Sequence, residues 1–193
     1  MIENKNFLNG RIEVICGSMF SGKTEELIRR IKKVELSNTS FILFKPKKDS
    51  RNSKEKIVSH AKNEINCKLI DESKEILKNS KGYSVIGIDE AQFFDENLVL
   101  VCNTLANNGQ RVIVAGLDMD YKGNPFGPMP NLMACAEEVT KVHAVCVETG
   151  ELAGFSFRKT INDDLVMIGK KKEYEPLSRK AFIKKMYSRE KNK

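Results

Sequence analysis

One short segment constrains the fold of this chain more than any other. Residues 14–33 read VICGSMFSGKTEELIRRIKK, and residues 17–24 within them match the pattern G-x-x-x-x-G-K-T. A run rich in β-branched residues comes before the pattern, and apolar residues at helical spacing follow it. A glycine-rich loop in this setting curls so that its backbone N–H groups point at one anion, at the N-terminus of a helix. The segment therefore predicts a strand, a phosphate-binding loop and an amphipathic helix, in that order.

Further apolar runs alternate with helical patterns through residues 40–116. SFILFKP, YSVIGID and QRVIVAGLD are predicted strands, and ENLVLVCNTLANNG is a predicted helix that ends at Gly109. Strands that alternate with helices indicate a parallel sheet covered on both faces. We therefore predict an α/β fold, a RecA-like P-loop sheet flanked by helices, with its ligands beyond the carboxyl ends of the strands.

The alternation of strands and helices ends at about residue 139. From there, short apolar runs separated by turns predict a small β-rich domain. We expect a nucleotide-binding domain over residues 1–138, the small domain over residues 139–178, and a basic, flexible tail over residues 179–193. Residues 170–193 hold ten Lys or Arg and three Glu, so this stretch carries the whole formal charge of +7. A solvated chain end is the simpler explanation of that charge, and contact with nucleic acid is the alternative.

Composition also bears on the compartment. No apolar run approaches the ~18 residues of a membrane-spanning helix, and MIENKNFLNG lacks the layout of a secretory signal. The five cysteines are an odd number, widely spread, without a C-x-x-C pair. Such thiols are typical of a reducing compartment, and we expect a cytoplasmic protein.

A second chemical signal follows the apolar strand VIGI, where Asp89 and Glu90 are adjacent. In a P-loop protein Lys23 would reach the terminal phosphates of a nucleotide, and Thr24 and Asp89 would hold Mg²⁺. Glu90 could act as the base for an attacking hydroxyl or orient a water molecule. These residues predict phosphoryl transfer from a nucleoside triphosphate, or its hydrolysis, and leave the acceptor open.

Four segments taken together indicate a protein family. They are GSMFSGKT, DEAQFF, GLDMDYKGNPFG and HAVC. They resemble thymidine kinases of the cellular, tetrameric type, which are also found in many bacteria and poxviruses, over roughly residues 10–174. The resemblance implies transfer of the γ-phosphate of ATP to the 5′-hydroxyl of thymidine, with Glu90 as the base that takes the hydroxyl proton. It also implies a homotetramer, feedback inhibition by dTTP, and a small lasso domain that closes over the base.

The resemblance further implies two sets of binding residues. The nucleotide would be held by Gly17, Ser18, Met19, Phe20, Ser21, Gly22, Lys23, Thr24, Asp49, Arg51, Asp89 and Gln92. The nucleoside would be held by Met19, Phe93, Leu117, Tyr121, Phe126, Ser156, Leu165, Val166, Met167, Ile168, Gly169 and Tyr174. The aromatic residues in the second set could also be ordinary core or surface side chains.

The chain departs from the resemblance at the zinc site of the small domain. Most relatives bind one zinc there through two C-x-x-C-like pairs, whereas CVET keeps Cys146 and places Thr149 at the second position. Leu177 and Ser178 lie near the place of another ligand. Structural zinc needs four S or N ligands, so we predict that no zinc is bound. Apolar side chains are expected to stabilise the domain instead, namely Val145, Phe155, Phe157 and Phe182.

The alternative function is a RecA-like P-loop ATPase that acts on nucleic acid through the basic tail. GLDMDYKGNPFG and the β-rich domain suit a nucleoside pocket and have no role in a translocase. The sparse aromatic residues of the tail also do not resemble a base-stacking surface. ATP turnover that requires thymidine and ignores DNA would separate the two functions.

Overall fold

The computed structural model describes residues 10–48, 56–58, 64–160 and 173–191. The strands are β1 (Arg11–Cys16), β2 (Phe41–Pro46), β3 (Lys56–Val58), β4 (Glu64–Asn66), β5 (Lys68–Ile70), β6 (Val85–Ile88), β7 (Arg111–Gly116), β8 (Glu138–Lys141), β9 (Ala144–Val145), β10 (Leu152–Ala153), β11 (Phe155–Arg158) and β12 (Tyr174–Leu177). The helices are α1 (Lys23–Leu36), α2 (Lys74–Asn79), α3 (Asn97–Asn107), α4 (Met129–Cys135) and α5 (Arg179–Lys191), and Ala91–Phe93 form one 3₁₀ turn.

The centre of the molecule is a six-stranded parallel sheet in the order β5-β2-β6-β7-β1-β8. Helix α1 covers one face, and helices α2, α3 and α4 cover the other. Neighbouring residues of β1 point to opposite faces, so Val14 lies in one apolar cluster and Ile15 in the other. Burial on both faces explains the continuous apolar runs of these strands. The predicted α/β fold, a parallel sheet flanked by helices, is confirmed.

Helix α1 follows its amphipathic pattern. Its buried side chains include the apolar residues at helical spacing, Leu27, Ile28, Ile31 and Val34. They pack against the sheet together with Leu43 and Ile113. The helix is therefore fixed behind the phosphate loop, with its N-terminus directed at that loop.

The order of the strands brings the segments of the candidate site together. Strand β7 lies between β1 and β6, and all three run parallel. The segments that follow these strands therefore meet at one edge of the sheet. They are the phosphate loop, the Asp89–Glu90 segment and the loop that begins at Leu117.

The small unit consists of the antiparallel pairs β9–β10 and β11–β12 with helix α5. Its buried apolar cluster comprises Ala144, Cys146, Ala153, Phe155, Phe157, Leu177, Ala181 and Phe182. Phe155 stacks on Phe182 at 4.6 Å between ring centroids, and Phe157 meets Phe182 edge-on at 6.3 Å. Three of the four apolar residues expected to stabilise this unit do pack in it. Val145 does not, because alternation along β9 buries Ala144 and leaves Val145 65% exposed.

The expected boundaries differ from the structure at two points. Strand β8 pairs with β1, so the main sheet extends to Lys141 and not to residue 138. Residues 179–191, expected to be a flexible tail, form helix α5, because Ala181 and Phe182 are buried against the small unit. Within the described part of the chain, no helix has the length and apolar character to cross a membrane.

Candidate active site

The phosphate loop joins β1 to α1 and is held in an unusual backbone conformation. Gly17, Phe20 and Gly22 all have positive φ, at 144°, 65° and 89°. A Cβ at Gly17 would lie 2.1 Å from the carbonyl oxygen of Val142, so no larger residue fits there. Positive φ at Phe20 is uncommon for a residue with a side chain and is typical of functional sites. The predicted curled loop is therefore present.

Two side chains, at the end of the phosphate loop and at the start of α1, form hydrogen bonds to the backbone of the loop. The hydroxyl of Ser21 donates to the carbonyl oxygen of Ser18 at 2.7 Å, and the ammonium of Lys23 donates to the same oxygen at 2.8 Å. The positive charge of Lys23 is thus held over the loop backbone, where an anion would be bound. The role of Lys23 in contacting phosphate stays a prediction.

The loop also contacts the small unit directly. The hydroxyl of Ser18 donates to the carbonyl oxygen of Ala153 at 3.1 Å, and the backbone N–H of Met19 donates to the hydroxyl of Ser156 at 2.9 Å. The resemblance implies that Ser156 lies near the nucleoside. In the structure, its hydroxyl is hydrogen-bonded to the phosphate loop. The two binding regions are therefore in contact through β11.

Thr24 and Asp89 form the candidate Mg²⁺ site. The hydroxyl of Thr24 lies 3.5 and 3.4 Å from the two carboxylate oxygens of Asp89. Asp89 is only 5% exposed, and burial together with the charge of Glu90 raises its pKa to about 7. A dication offsets such buried charge and prefers oxygen ligands. The two residues therefore fit Mg²⁺.

Glu90 is held in place by Gln92. Glu90 has φ 52°, so its backbone is in the left-handed region. The amide nitrogen of Gln92 donates to the Glu90 carboxylate at 2.7 Å, and the amide oxygen of Gln92 accepts the backbone N–H of Leu117 at 2.9 Å. Gln92 is 2% exposed. Its side chain thus fixes the candidate base relative to the loop after β7, a contact that the sequence did not predict. The assignment of Gln92 to the nucleotide stays a prediction.

The loop after β7 is folded around Asp120 and lines the region beside Glu90. The carboxylate of Asp120 accepts the backbone N–H groups of Lys122 and Asn124 at 2.8 and 2.9 Å. Phe126, at the end of this loop, meets Phe93 edge-on at 5.8 Å between ring centroids. The structure therefore brings Phe93, Leu117 and Phe126 together next to the candidate base.

Two further aromatic residues of the predicted pocket meet at a residue that the sequence did not single out. Tyr121 and Tyr174 are both buried and both lie against the guanidinium of Arg158.

Another contact that the sequence did not predict is the ion pair between Lys141 and the buried Asp118, at 2.7 Å. Only the preceding apolar strand QRVIVAG could have pointed to Asp118, since it places that residue at the active edge of the sheet.

The positions expected for zinc ligands lie together but carry the wrong groups. The hydroxyls of Thr149 and Ser178 are 3.5 Å apart. Burial alone would raise the pKa of the Cys146 thiol, but hydrogen bonds from the Thr149 hydroxyl and from nearby backbone N–H groups lower it to about 6. One thiol and two hydroxyls do not fit a structural zinc site. Among the described residues no group of three or more His, Cys, Asp or Glu side chains could hold a metal ion, and the absence of zinc stays a prediction.

Some of the predicted site residues lie outside the described residues. They are Asp49, Arg51, Leu165, Val166, Met167, Ile168 and Gly169. Their roles at the phosphates and at the base stay predictions.

Comparison with known proteins agrees with this geometry. A family model described as thymidine kinase matches residues 10–182. The thymidine kinase of Bacteroides thetaiotaomicron is 58% identical over 175 residues, which are 91% of this chain and 88% of the relative. Those of Porphyromonas gingivalis and a Rhodothermus species are 54% and 50% identical over 91% and 90% of this chain, and over 86% and 81% of their own lengths.

Solved structures give only a distant match. The replication initiator DnaA bound to AMPPCP and single-stranded DNA has a TM-score of 0.46 at 13% identity, over 72% of this chain and 42% of that one. A likeness at this level has no bearing on function. The family model, in contrast, spans most of the chain, and the relatives are 50–58% identical over about 90% of its length. The chain belongs to the thymidine kinase family.

Proposed function

We propose that the protein transfers the γ-phosphate of ATP to the 5′-hydroxyl of thymidine, giving dTMP and ADP. Membership of the thymidine kinase family supports this activity. The observation that carries it is the fixed position of Glu90, which follows the candidate Mg²⁺ ligand Asp89 and is hydrogen-bonded by Gln92. A base held next to the phosphate loop suits an alcohol acceptor.

The chain's own residues account for the steps of such a transfer. Glu90 accepts the proton of the 5′-hydroxyl while that oxygen forms a bond to the γ-phosphorus and the bond from phosphorus to ADP breaks. Lys23 and the backbone N–H groups of the loop offset the charge on the phosphate oxygens. When bound at Thr24 and Asp89, Mg²⁺ would neutralise further charge on the transferring group. Phosphoryl transfer depends mostly on such positioning and charge neutralisation.

We infer that the nucleoside lies between the two units. Phe93, Leu117 and Phe126 would contact the sugar side, next to Glu90. Tyr121 and Tyr174 would contact the base, and residues 165–169 would close over it as a lasso, as the resemblance implies. In this proposal the nucleotide-binding domain ends with β8, and the small domain comprises β9 to β12 together with helix α5. The contacts of Ser18 and Met19 with the small domain support a shared site.

The remaining proposals concern partners and compartment. The resemblance supports a homotetramer and inhibition by dTTP, whose triphosphate and thymidine ends would span both binding regions. None of the five cysteines, all of which the structure describes, forms a disulfide, which supports a reducing, cytoplasmic environment. The mismatch at Thr149 and Ser178 supports a protein that binds no zinc. The alternative of a nucleic-acid-dependent ATPase is not favoured, because the thymidine kinase model spans residues 10–182.

The test is a kinase assay over the four deoxynucleosides, with ATP and Mg²⁺, with and without single-stranded DNA. We expect ADP formation that requires thymidine and ignores DNA. Glu90→Gln should lower kcat by about 10²–10⁴-fold, the usual contribution of a general base. Glu96→Gln, a change of the same kind at an exposed residue six positions on, is the control. Near-normal thymidine turnover by Glu90→Gln would show that Glu90 is not the base, and turnover driven by DNA would favour the ATPase.

A further inference from the structure

Arg158 is the largest fully buried side chain among the described residues, with 0% exposure. It lies on β11, and its backbone pairs across the hairpin with Tyr174 on β12. A buried guanidinium is costly unless its charge and its N–H groups are satisfied. The position of Arg158 therefore requires an explanation in terms of the groups around it.

Two tyrosines supply part of that explanation. The guanidinium of Arg158 lies over the ring of Tyr121 at 3.7 Å from its centroid, and 5.4 Å from the ring centroid of Tyr174. Its Nε donates to the hydroxyl of Tyr174 at 2.9 Å. Stacking on aromatic faces and a directed N–H fork are the properties in which arginine differs from lysine. Arg158 therefore fixes both rings at once.

The two tyrosines come from different parts of the molecule. Tyr121 belongs to the loop after β7, which also carries Leu117 and Phe126, whereas Tyr174 belongs to the small unit. Arg158 thus joins a loop of the main sheet to the small unit across a buried contact.

The same strand also reaches the phosphate loop. Ser156 and Arg158 are two residues apart on β11, so their side chains point to the same face. Ser156 accepts the backbone N–H of Met19 in the phosphate loop. On one face of β11, therefore, Ser156 contacts the phosphate loop and Arg158 contacts both tyrosines.

We propose that Arg158 is a positioning residue for nucleoside recognition, which holds Tyr121 and Tyr174 in one arrangement and so sets the affinity for a pyrimidine deoxynucleoside. This inference rests on the proposed function, which assigns both tyrosines to the nucleoside pocket. Because Arg158 contacts two tyrosines assigned to the nucleoside pocket, its effect is expected on the nucleoside and not on ATP.

The test compares Arg158→Met, Arg158→Lys, Tyr174→Phe and the double variant Arg158→Met/Tyr174→Phe. Each is assayed with thymidine varied at saturating ATP, and with ATP varied at saturating thymidine. Arg158→Met should raise the KM for thymidine by about tenfold or more, with the KM for ATP within about twofold and a smaller change in kcat. Arg158→Lys, which keeps the charge but loses the planar fork, should lie between Arg158→Met and the unaltered protein.

The double variant tests whether Arg158 acts through Tyr174. Because the two residues share one hydrogen bond, the loss in the double variant should be smaller than the combined losses of the single variants. The matched control is Arg179→Met. Arg179 is an exposed arginine of the same unit whose guanidinium also lies over a ring, that of Phe155 at 4.8 Å. Its loss should leave the KM for thymidine unchanged.

The outcomes separate this inference from the proposed function. No thymidine turnover by the unaltered protein would overturn the proposed function and this inference together. Normal turnover with an unchanged KM for thymidine in Arg158→Met, or an equal rise in both KM values, would overturn the inference alone. If Arg158→Met does not fold, Arg158→Lys and Tyr174→Phe decide the question by the same comparison of KM values.

Discussion

Gln92 holds Glu90 through a single amide, and each end of that amide has a different partner. The nitrogen donates to the Glu90 carboxylate, and the oxygen accepts the N–H of Leu117. Removal of the amide leaves a carboxylate oxygen without its donor and a backbone N–H without its acceptor. A base that is no longer held in its productive position acts less often on the acceptor.

Gln92→Leu should therefore lower kcat for thymidine phosphorylation by about ten- to a hundredfold. The KM for ATP should change little, because Lys23 and Thr24 keep their contacts. Steady-state kinetics with each substrate varied in turn provides the measurement.

Gln110→Leu is the matched control for this prediction. The amide of Gln110 donates to the carbonyl oxygens of Ser80 and Tyr83, just before β7 begins and thus at the opposite edge of the sheet. Its removal should lower the melting temperature and leave kcat unchanged. Equal losses of kcat in both variants would mean that Gln92 supports only the fold.

At the scale of single residues, the positions of the candidate site residues could be predicted from the sequence. The side-chain contacts that hold those residues in place could not. Lys23, Thr24 and Asp89 follow from a local motif and from one strand ending, both visible in consecutive residues. The support of Glu90 by Gln92 depends on Leu117, which is 25 residues further along the chain. The stacking of Tyr121 on Arg158 likewise joins two segments that only the fold brings together. Side-chain contacts of this kind leave no spacing in the sequence.

At the scale of elements, β1 buries one charged residue, Glu13, in an otherwise apolar run. Glu13 is 1% exposed, and its carboxylate accepts hydrogen bonds from Arg11, Arg30 and Arg111 at 2.7 Å. Burial alone would raise the pKa of Glu13, but these hydrogen bonds outweigh it and lower the pKa to about 2. One carboxylate thus ties β1 to α1 and to β7.

The lowered pKa of Glu13 predicts a loss of stability in acid. A carboxyl whose pKa is lower in the folded state stabilises the fold above its unfolded pKa, near ~4.3, and loses that contribution as pH falls to about 2. The contribution at pH 7 should be about 3 kcal/mol. Urea unfolding of Glu13→Gln at pH 7 should show a loss of that size, and the variant should lose less stability than the unaltered protein between pH 5 and pH 2.

An exposed ion pair provides the comparison for Glu13. Asp71 accepts a hydrogen bond from Lys47 at 2.5 Å, and more than half of each side chain is exposed. Such pairs contribute at most about 1 kcal/mol, so Asp71→Asn should change the free energy of unfolding little. A loss no larger for Glu13→Gln than for Asp71→Asn would contradict the role assigned to the buried cluster.

Elements with a strong period were predictable, and those stabilised by distant contacts were not. Strands β1, β2, β6 and β7 are buried on both faces, and α1 has one apolar side, so their patterns are explicit. Helix α5 has few buried residues, chiefly Ala181 and Phe182, and its charged sequence resembles a solvated tail. It packs on the small unit because Phe182 stacks on Phe155, a contact between residues far apart in the chain.

At the scale of the whole molecule, the small unit is joined to the main sheet at several points of the site. Strand β8 leads directly from the sheet into β9. Ser18 and Met19 of the phosphate loop are bonded to residues of the small unit, and Arg158 contacts Tyr121. A small unit that is poorly folded should therefore weaken both binding regions, which makes the source of its stability important for function.

The arrangement around Cys146 bears on our prediction that this unit binds no zinc. Positions 146 and 149 and positions 178 and 181 are both spaced as C-x-x-C pairs are, and Ala181 lies in the same buried cluster as Cys146. Neighbouring sulfurs in a tetrahedral zinc site are about 3.8 Å apart, and the hydroxyls of Thr149 and Ser178 are 3.5 Å apart. These positions thus keep the spacing of a zinc site, and we propose that hydrogen bonds to Cys146 and the contacts of Phe155, Phe157 and Phe182 take the place of the metal.

The triple substitution Thr149→Cys/Ser178→Cys/Ala181→Cys should therefore create a four-thiolate zinc site. Elemental analysis should find about one zinc per chain in this variant, and its melting temperature should fall when a chelator is added, because structural zinc contributes folding free energy directly. The unaltered protein should contain no stoichiometric zinc and should melt at the same temperature with or without chelator. Adding Cys146→Ser to the triple variant removes one ligand and should weaken zinc binding. Stoichiometric zinc in the unaltered protein would show instead that the small unit has kept its metal through other ligands.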